Sequence, residues 1–423
     1  MKILQIANGD FFSTYGGGQV YVKNLVDEMI RQGLVVSVLS FVNKKSDVPF
    51  QKQNYKGINL YAIYQKDEQT IKTLIRQIAP DVIHIHAEKA LISRISRELL
   101  IRNVVTVHHG GIVCPAGTLL NYRDEICKIS ANQENCTQCV LQNTKIGKFF
   151  YPLLKKMPLS ARLKIGKTLS KLPFIYFVTP IGSANLYIEN KLKEWEIIVQ
   201  NIDRMIAPSY AIAENMEING LDTGKIEIVP HGIPVNPIKI NTFVPDINNR
   251  KLKFFYLGRI GRVKGIHILL KAFIRLNPNE CELHLIGDNK GKYECDLIKK
   301  HAHYKNIFFH GKIPPESVNS RIKEYDILVH PAICLEVFGL NISEALAEGK
   351  PVIATRCGGA EMQIREGENG LLVNPNNEEE LFCAMNWVIR HPEDVKLMSE
   401  KASVGVISMQ KHVEKLCEIY YKV

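Results

Sequence analysis

Short, nearly unbroken apolar runs alternate along this chain with segments of helical period, and the series occurs twice. KILQIA, VVSVLSF, VIHIH and VVTVHH read as strands. Between the first two, Val22, Leu25, Val26, Met29 and Ile30 fall at helical spacing over about 19–32, and Gly33 marks the stop. Further helices are expected at 70–78 and 90–100. Strands apolar on both faces need cover on both faces, which is the pattern of a parallel sheet built from βαβ units. The rhythm breaks at about 114–172, read as an insertion, and resumes with DRMIAPS, a helix near 210–219 and KIEIVPHG. A segment rich in Pro, Asn and Ile follows, and a second series starts at KLKFFYLG. Its helices are expected at 265–276, 293–301, 315–324 and 342–348, with strands ELHLIG, IFFHG, DILVHP and PVIAT between and after them. The expected class is therefore α/β, with two Rossmann-like, doubly wound domains at 1–235 and 251–408 and a linker at 236–250. Such domains face across a cleft at the C-terminal ends of their strands, where open parallel sheets bind ligands. The 423 residues suit two domains of roughly 200 residues each.

An apolar share of 46% and a charged share of 23% are those of a globular chain. No apolar run reaches the ~18 residues of a membrane span. MKILQIAN enters a strand directly with no apolar leader, so a cytoplasmic location is expected. The net charge of +11 is uneven: residues 135–188 hold no acid but carry Lys145, Lys148, Lys155, Lys156, Arg162, Lys164, Lys167 and Lys171. With Phe149, Phe150, Tyr151, Leu153 and Leu154 interleaved, this stretch suits the inner surface of an anionic membrane, or is a solvated helix face. No nucleic-acid-binding signature accompanies it. Of ten cysteines, Cys281, Cys295, Cys334, Cys357, Cys383 and Cys417 are scattered and read as small buried groups. Cys114, Cys127, Cys136 and Cys139 are clustered, ending in Cys-x2-Cys; they fit a closed, structural zinc site, or are reduced thiols packed in a loop.

The chemistry concentrates in the second series. Glu336-Val-Phe-Gly-Leu-Asn-Ile-Ser-Glu344 joins a strand to a helix whose unpaired first N–H groups suit a diphosphate. Gly339 admits a phosphate close to the backbone, Glu344 is placed for a ribose diol and Glu336 for a transferred group. The plainer alternative is two exposed carboxylates around an ordinary turn. Arg259 and Lys264, in Gly-Arg-Ile-Gly-Arg-Val-Lys-Gly after the first strand of the second domain, bracket a loop that clamps the same diphosphate. Two fixed cations can stabilise a departing nucleoside diphosphate without a metal, and the chain has no Asp-x-Asp pair. In the first domain, Gly16, Gly17 and Gly18 form a loop before a helix, and His108 sits at a strand end before His109-Gly110-Gly111.

The combination GRxxxxKG, HP…EVFGLNISEALAEGKPVIAT and GGAEMQIREGENGLLV resembles the retaining GT-B glycosyltransferases of family 4, over nearly the whole chain. The resemblance implies that Arg259 and Lys264 bind the donor diphosphate, with Phe338, Gly339 and Leu340 lining its site. It implies that Glu344 holds the ribose, that Glu336 contacts the donor sugar near the reacting carbon, and that Gly311 lies near the nucleobase. The His at position 108 would donate to the donor sugar or to developing charge, and the last helix (409–423) would pack back on the first domain. Many members read His-Asp-x-Trp where this chain has His109, Gly110 and Gly111. The expected activity is metal-independent transfer of a hexose-type sugar from a nucleotide-sugar donor to a glycan or lipid-linked hydroxyl, with retention. Its setting would be cell-envelope polysaccharide or lipopolysaccharide assembly at the inner membrane face, and same-face substitution is the expected route. Rivals are a non-catalytic sugar-nucleotide-binding scaffold and a GT-B epimerase or phosphorylase; a phosphorylase would need a cofactor-bearing Lys that nothing here marks.

Overall fold

The computed structural model describes residues 1–12, 16–143, 156–169, 171–172, 174, 179–234, 250–288 and 291–422. The contacts divide the chain into two units: Met1–Thr14, Leu25–Val229 and Leu416–Val423 form one, and Tyr15–Asn24 with Pro230–Lys415 the other. The expected linker falls, apart from Arg250, outside the described residues.

The first unit holds an eight-stranded sheet of β1 (Lys2–Asn8), β2 (Val35–Phe41), β3 (Phe50–Tyr55), β4 (Ile58–Ile63), β5 (Val82–Ile85), β6 (Arg102–Thr106), β7 (Arg204–Ala207) and β8 (Ile226–Ile228). Its order is β3-β4-β2-β1-β5-β6-β7-β8. Every neighbouring pair is parallel except β3 and β4. β5 is buried at all of its positions, as a strand covered on both faces requires. The β3–β4 hairpin was not expected from the apolar pattern, because β3 (FQKQNY) is an edge strand with polar, largely exposed side chains. Its signal was the Lys56-Gly57 pair, whose positive φ values of 50° and 90° make the tight turn that suits a two-residue hairpin.

The second unit holds a six-stranded, all-parallel sheet in the order β11-β10-β9-β12-β13-β14. These are β9 (Leu252–Leu257), β10 (Cys281–Ile286), β11 (Ile307–Gly311), β12 (Ile327–His330), β13 (Val352–Thr355) and β14 (Gly370–Val373). β14 and the helices Glu378–Arg390 and Pro392–Lys401 extend the second series beyond the elements expected above. The 315–324 helix splits into a 3₁₀ turn, Pro315–Ser317, and a short helix, Val318–Ile322. The helix expected at 342–348 starts earlier and spans Leu340–Ala347.

Within the expected insertion lie a β-bridge between Leu120 and Ile126 and the helices Gln133–Asn143 and Leu159–Leu169. The 22-residue helix Pro180–Asn201 follows, opened by a Thr179 side chain that accepts from Gly182 N at 3.2 Å. Val140 and Leu141 pack against Ala184 and Ile188 in one apolar cluster, with Cys136 and Leu192 against it. Lys145, Lys148, Lys155, Phe149, Phe150, Tyr151, Leu153 and Leu154 lie outside the described residues, as does the side chain of Arg162. Lys156, Lys164, Lys167 and Lys171 are exposed. No helix among the described residues is long and apolar enough to cross a membrane. Of the six scattered cysteines, Cys281, Cys334 and Cys357 are buried as expected, Cys417 is half-buried, and Cys295 and Cys383 are exposed, on the helices Lys292–His301 and Glu378–Arg390.

The helix Met409–Lys422 is shared as the resemblance implied. In the second unit Met409 N donates to Ile233 O at 2.8 Å. In the first, the Tyr420 hydroxyl is 2.6 Å from His84 Nδ1 and Arg102 donates to Tyr420 O.

The start of β9 is pinned to β12 by one fully buried carboxylate. Asp326 accepts both Arg250 Nη groups, at 2.7 and 2.8 Å, and Lys253 N at 2.8 Å. Removing one partner of a buried pair strands the other charge. Lys350 stays within electrostatic reach of Asp326, so Arg250→Ala is expected to cost about 3 kcal/mol, the lower end of such losses. Urea unfolding read by circular dichroism measures this, and a change below about 1 kcal/mol would contradict the pinning.

Candidate functional site

In the second sheet β9 lies between β10 and β12, so successive connections leave it on opposite sides, and the crevice at such a switch point receives ligands. The loop after β9 holds Arg259 and Lys264; the segment after β12 holds Glu336, Phe338 and Gly339. The sequence thus delivers its candidates to one end of two adjacent strands.

The β9 loop is tightly fixed. The buried Tyr256 hydroxyl donates to Arg259 O at 2.7 Å, and a 3₁₀ turn, Arg262–Lys264, ends at Gly265. Gly265 has φ +70°, and a Cβ there would sit 1.8 Å from Pro331 O, so only glycine lets the loop press against the end of β12. Lys264 Nζ consequently donates to Glu336 Oε2, with His330 Nε2 at 3.7 Å from the same oxygen. Both partners are mostly covered, at 22% and 17% side-chain exposure. Burial alone would lower the lysine, but the carboxylate beside it holds it above the ordinary range. Burial alone would raise Glu336; the Lys264 charge and His330 hold it well below the usual carboxylate range. Arg259 is exposed, on the same loop.

Beyond β12 the chain runs beside the 357–359 segment. Glu336 N donates to Cys357 O at 2.7 Å, and Gly359 N to Glu336 O at 3.0 Å. Gly339 then turns with φ 84°, a left-handed value that costs an L-residue roughly 1–2 kcal/mol. The helix Leu340–Ala347 begins there with no side-chain cap, so its first amides remain available to an anion. Gln363 braces the turn: Nε2 donates to Phe338 O at 2.6 Å and Gly359 O at 3.1 Å, while Oε1 accepts from Ser343 Oγ at 2.5 Å. Asn341 donates to Leu257 O at 2.8 Å, tying the helix to the end of β9. Glu344 is half-buried one turn in, and burial raises its carboxyl to about 7.

Gly16 and Gly17 are exposed at the start of the helix Gly17–Arg31, and Gly18 is half-buried beside them. The open side of Gly17 faces Leu340 Cδ1, 3.9 Å from where a Cβ would stand. This neighbourhood is held by residues that the sequence reading passed over. Tyr21, buried, meets His412 Nε2 at 2.6 Å and lies against the His231 ring at 4.1 Å with a tilt of 36°, and His231 packs edge-on against Phe338 at 5.4 Å. Gly311 lies at the end of the edge strand β11, accepting from Gly287 N at 2.9 Å, two strands away from β9.

His108 belongs to the first unit, just past β6, where its Nε2 is 2.8 Å from His86 Nδ1. His109 precedes the 3₁₀ turn Gly110–Ile112, and burial, then Lys89 and Lys191, lower its pKa. The four clustered cysteines come from a folded-back loop and the helix Gln133–Asn143. They lie within electrostatic reach of one another, and Cys139 receives the Tyr122 backbone N–H. Among the described residues no three or more His, Cys, Asp or Glu form a metal-holding group.

Residues 238–404 match the family described as Glycosyl transferases group 1, and residues 15–131 match Glycosyltransferase Family 4. The D-inositol 3-phosphate glycosyltransferase of Pseudarthrobacter chlorophenolicus is 31% identical over 225 residues, 49% of this chain and 52% of that protein. The alpha-monoglucosyldiacylglycerol synthase of Acholeplasma laidlawii is 26% identical over 239 residues, 52% of this chain and 58% of that one. The chain thus spans little more than half the length of these curated relatives. Among solved structures, Anabaena Alr3699/HepE in complex with UDP-glucose aligns over 100% of both chains with a TM-score of 0.67 and 14% identity. That likeness gives the chain its GT-B fold.

The Lys264–Glu336 pair makes a signed expectation. Glu336, depressed when folded, contributes stability above its unfolded value, and that stability is lost only as pH falls below it. In Lys264→Met the stranded carboxylate is raised by burial, so the variant is weaker by about 3 kcal/mol at pH 7.5 and regains part of that by pH 5 as Glu336 takes up a proton. Urea unfolding at the two pH values is the measurement, and a gap that does not narrow would contradict the coupling.

Proposed function

Because this chain belongs to the GT-B glycosyltransferases of the group 1 and family 4 type, we propose that it transfers a sugar from a nucleotide-sugar donor to an acceptor hydroxyl with retention of configuration. The observation that carries the reading is the buried Lys264–Glu336 pair beside the uncapped start of the helix Leu340–Ala347. The helix amides and Arg259 take the diphosphate, and Lys264 adds a fixed positive charge where the leaving group develops negative charge. Neutralisation by these two cations needs no metal. Glu336, kept ionised, accepts hydrogen bonds from hydroxyls of the donor sugar, and Glu344 accepts from the ribose diol. Gly16, Gly17 and Gly18 border the phosphates, Gly311 the base, and His108 acts on the donor sugar. The acceptor hydroxyl attacks the face from which the diphosphate leaves, and the departing phosphate oxygen takes its proton.

A lipid-linked glycan in cell-envelope polysaccharide assembly is the proposed acceptor, at the cytoplasmic face of a membrane. The exposed Lys156, Lys164, Lys167 and Lys171 support it, as does a relative named for a glucosyldiacylglycerol product. On the sequence pattern alone, Cys114, Cys127, Cys136 and Cys139 are proposed to hold one structural zinc ion.

Turnover of a panel of UDP-, GDP- and ADP-sugars in EDTA tests the activity. Glu336→Gln and Lys264→Ala are expected to lower kcat by about 10²-fold or more, and full rates in both would refute the site. Nucleotide-sugar affinity should weaken as pH falls through about 7, where Glu344 gains its proton, and Glu344→Gln should flatten that profile. For the cysteines, elemental analysis should give one zinc per chain, lost in Cys136→Ser. Metal-free wild-type protein with all four thiols reactive towards a disulfide reagent would overturn that assignment.

A further inference from the structure

Two polar side chains stand behind the Lys264–Glu336 pair without a part in the chemistry above. His330 ends β12 and is 3% exposed; Asn341, half-buried, lies in the first turn of the helix Leu340–Ala347. Asn341 Nδ2 is 2.8 Å from Leu257 O and 3.1 Å from His330 Nδ1. At the other end of the ring, His330 Nε2 is 3.7 Å from Glu336 Oε2, too long for a hydrogen bond, and this buried nitrogen has no hydrogen-bond partner among the described residues. Lys264 donates to the same carboxylate oxygen. Glu336 Oε1 accepts no hydrogen bond among the described residues, and the side chain keeps 17% of its surface open.

A backbone carbonyl decides where the ring hydrogen lies. Leu257 O only accepts, so the Asn341 atom facing it is the amide nitrogen and not the oxygen. That nitrogen donates and has no lone pair to offer, so His330 Nδ1 beside it accepts. The hydrogen of the ring is therefore on Nε2. A buried N–H without an acceptor is unfavourable, and a small rotation of the Glu336 carboxylate brings an ionised oxygen within its reach.

We propose that His330 is a positioning residue for Glu336: oriented by Asn341, its Nε2–H joins Lys264 in holding Oε2, so that Oε1 is the oxygen presented to the donor sugar. The sugar-facing half of this rests on the transfer activity proposed above; the hold on Oε2 does not. One donor leaves a carboxylate free to swing about its last bond, whereas two donors on one oxygen fix its plane. A hydroxyl of the donor sugar then meets a lone pair of set direction. Both residues stand in the sequence, in DILVHP and EVFGLNIS, and the turn at Gly339 brings them face to face across 11 positions.

The full chain labelled with ¹⁵N-histidine, free of ligand, gives the first reading through long-range ¹H–¹⁵N correlations. His330, assigned by its loss in His330→Gln, should carry its hydrogen on Nε2, and that nitrogen should shift in Glu336→Ala. A hydrogen on Nδ1, or an Nε2 signal indifferent to residue 336, would overturn the proposal whatever the protein transfers. With the nucleotide sugar that turns over in the panel, kcat/KM should fall at least about tenfold in His330→Met, as expected for losing a hydrogen bond to a charged group. Affinity for the matching nucleoside diphosphate, which has no sugar, should stay within about twofold. A carboxamide can accept from Asn341 and donate to Glu336, so His330→Gln should recover most of the loss. An equal loss of affinity for the sugarless nucleotide would reduce His330 to packing, and equal rates in the Met and Gln variants would remove its donor role; either result overturns the proposal. If the wild type turns over no nucleotide sugar, the transfer reading fails and takes the sugar-facing half with it, while the ligand-free spectra still decide the hold on Oε2.

Discussion

The ion pair between Lys264 and Glu336 is the interaction around which the second unit's binding end is organised. Its two members come from loops after different strands, so each needs its own backbone device to arrive. Gly265 lets the first loop press against Pro331, and the hydrogen bonds to Cys357 and from Gly359 hold the second. A mostly buried pair is a weak source of stability, because desolvation of both charges offsets most of their attraction. What it supplies is fixed charge: an ammonium and a carboxylate held in place, on which the proposed donor site draws.

The layer beneath that pair is polar as well. Gln363 grips the Phe338 carbonyl and Ser343 together, and Asn341 reaches back to β9. Tyr21, His231 and His412 pack on one another, each is buried, and His231 meets the Phe338 ring. The turn at Gly339 is therefore held from both sides, and the amides of the following helix keep a constant direction. In the first unit Gln5, His86 and His108 form a polar line of their own, joined by contacts of 2.8 Å.

The sequence showed the double α/β series because buried parallel strands leave apolar runs that no surface constraint interrupts. The β3–β4 hairpin stayed hidden for the opposite reason: Gln51, Lys52 and Asn54 are exposed on an edge strand, so their pattern resembles a loop. The positions of Lys264 and Glu336 were legible, since glycines at 261 and 265 and the strand-to-helix pattern around 336–344 mark loops that must take defined shapes. Their mutual pairing was not, because it depends on β12 lying next to β9, a strand order that chain order does not reveal. Gln363, Tyr21 and His412 act across 20 or more positions, on Ser343, His412 and Tyr21 respectively, and a single sequence carries no periodicity linking such partners.

The two sharing helices carry a practical corollary. The first compact unit takes its last strand-side partner, Tyr420, from the far end of the chain, and the second takes Tyr21 from near the beginning. Severing the chain once, anywhere in 235–249, would leave one fragment lacking the hydroxyl that reaches His84 and the other lacking the hydroxyl that meets His412. Neither half is a self-sufficient piece, and a dissection that respects the architecture would need permuted or co-expressed segments.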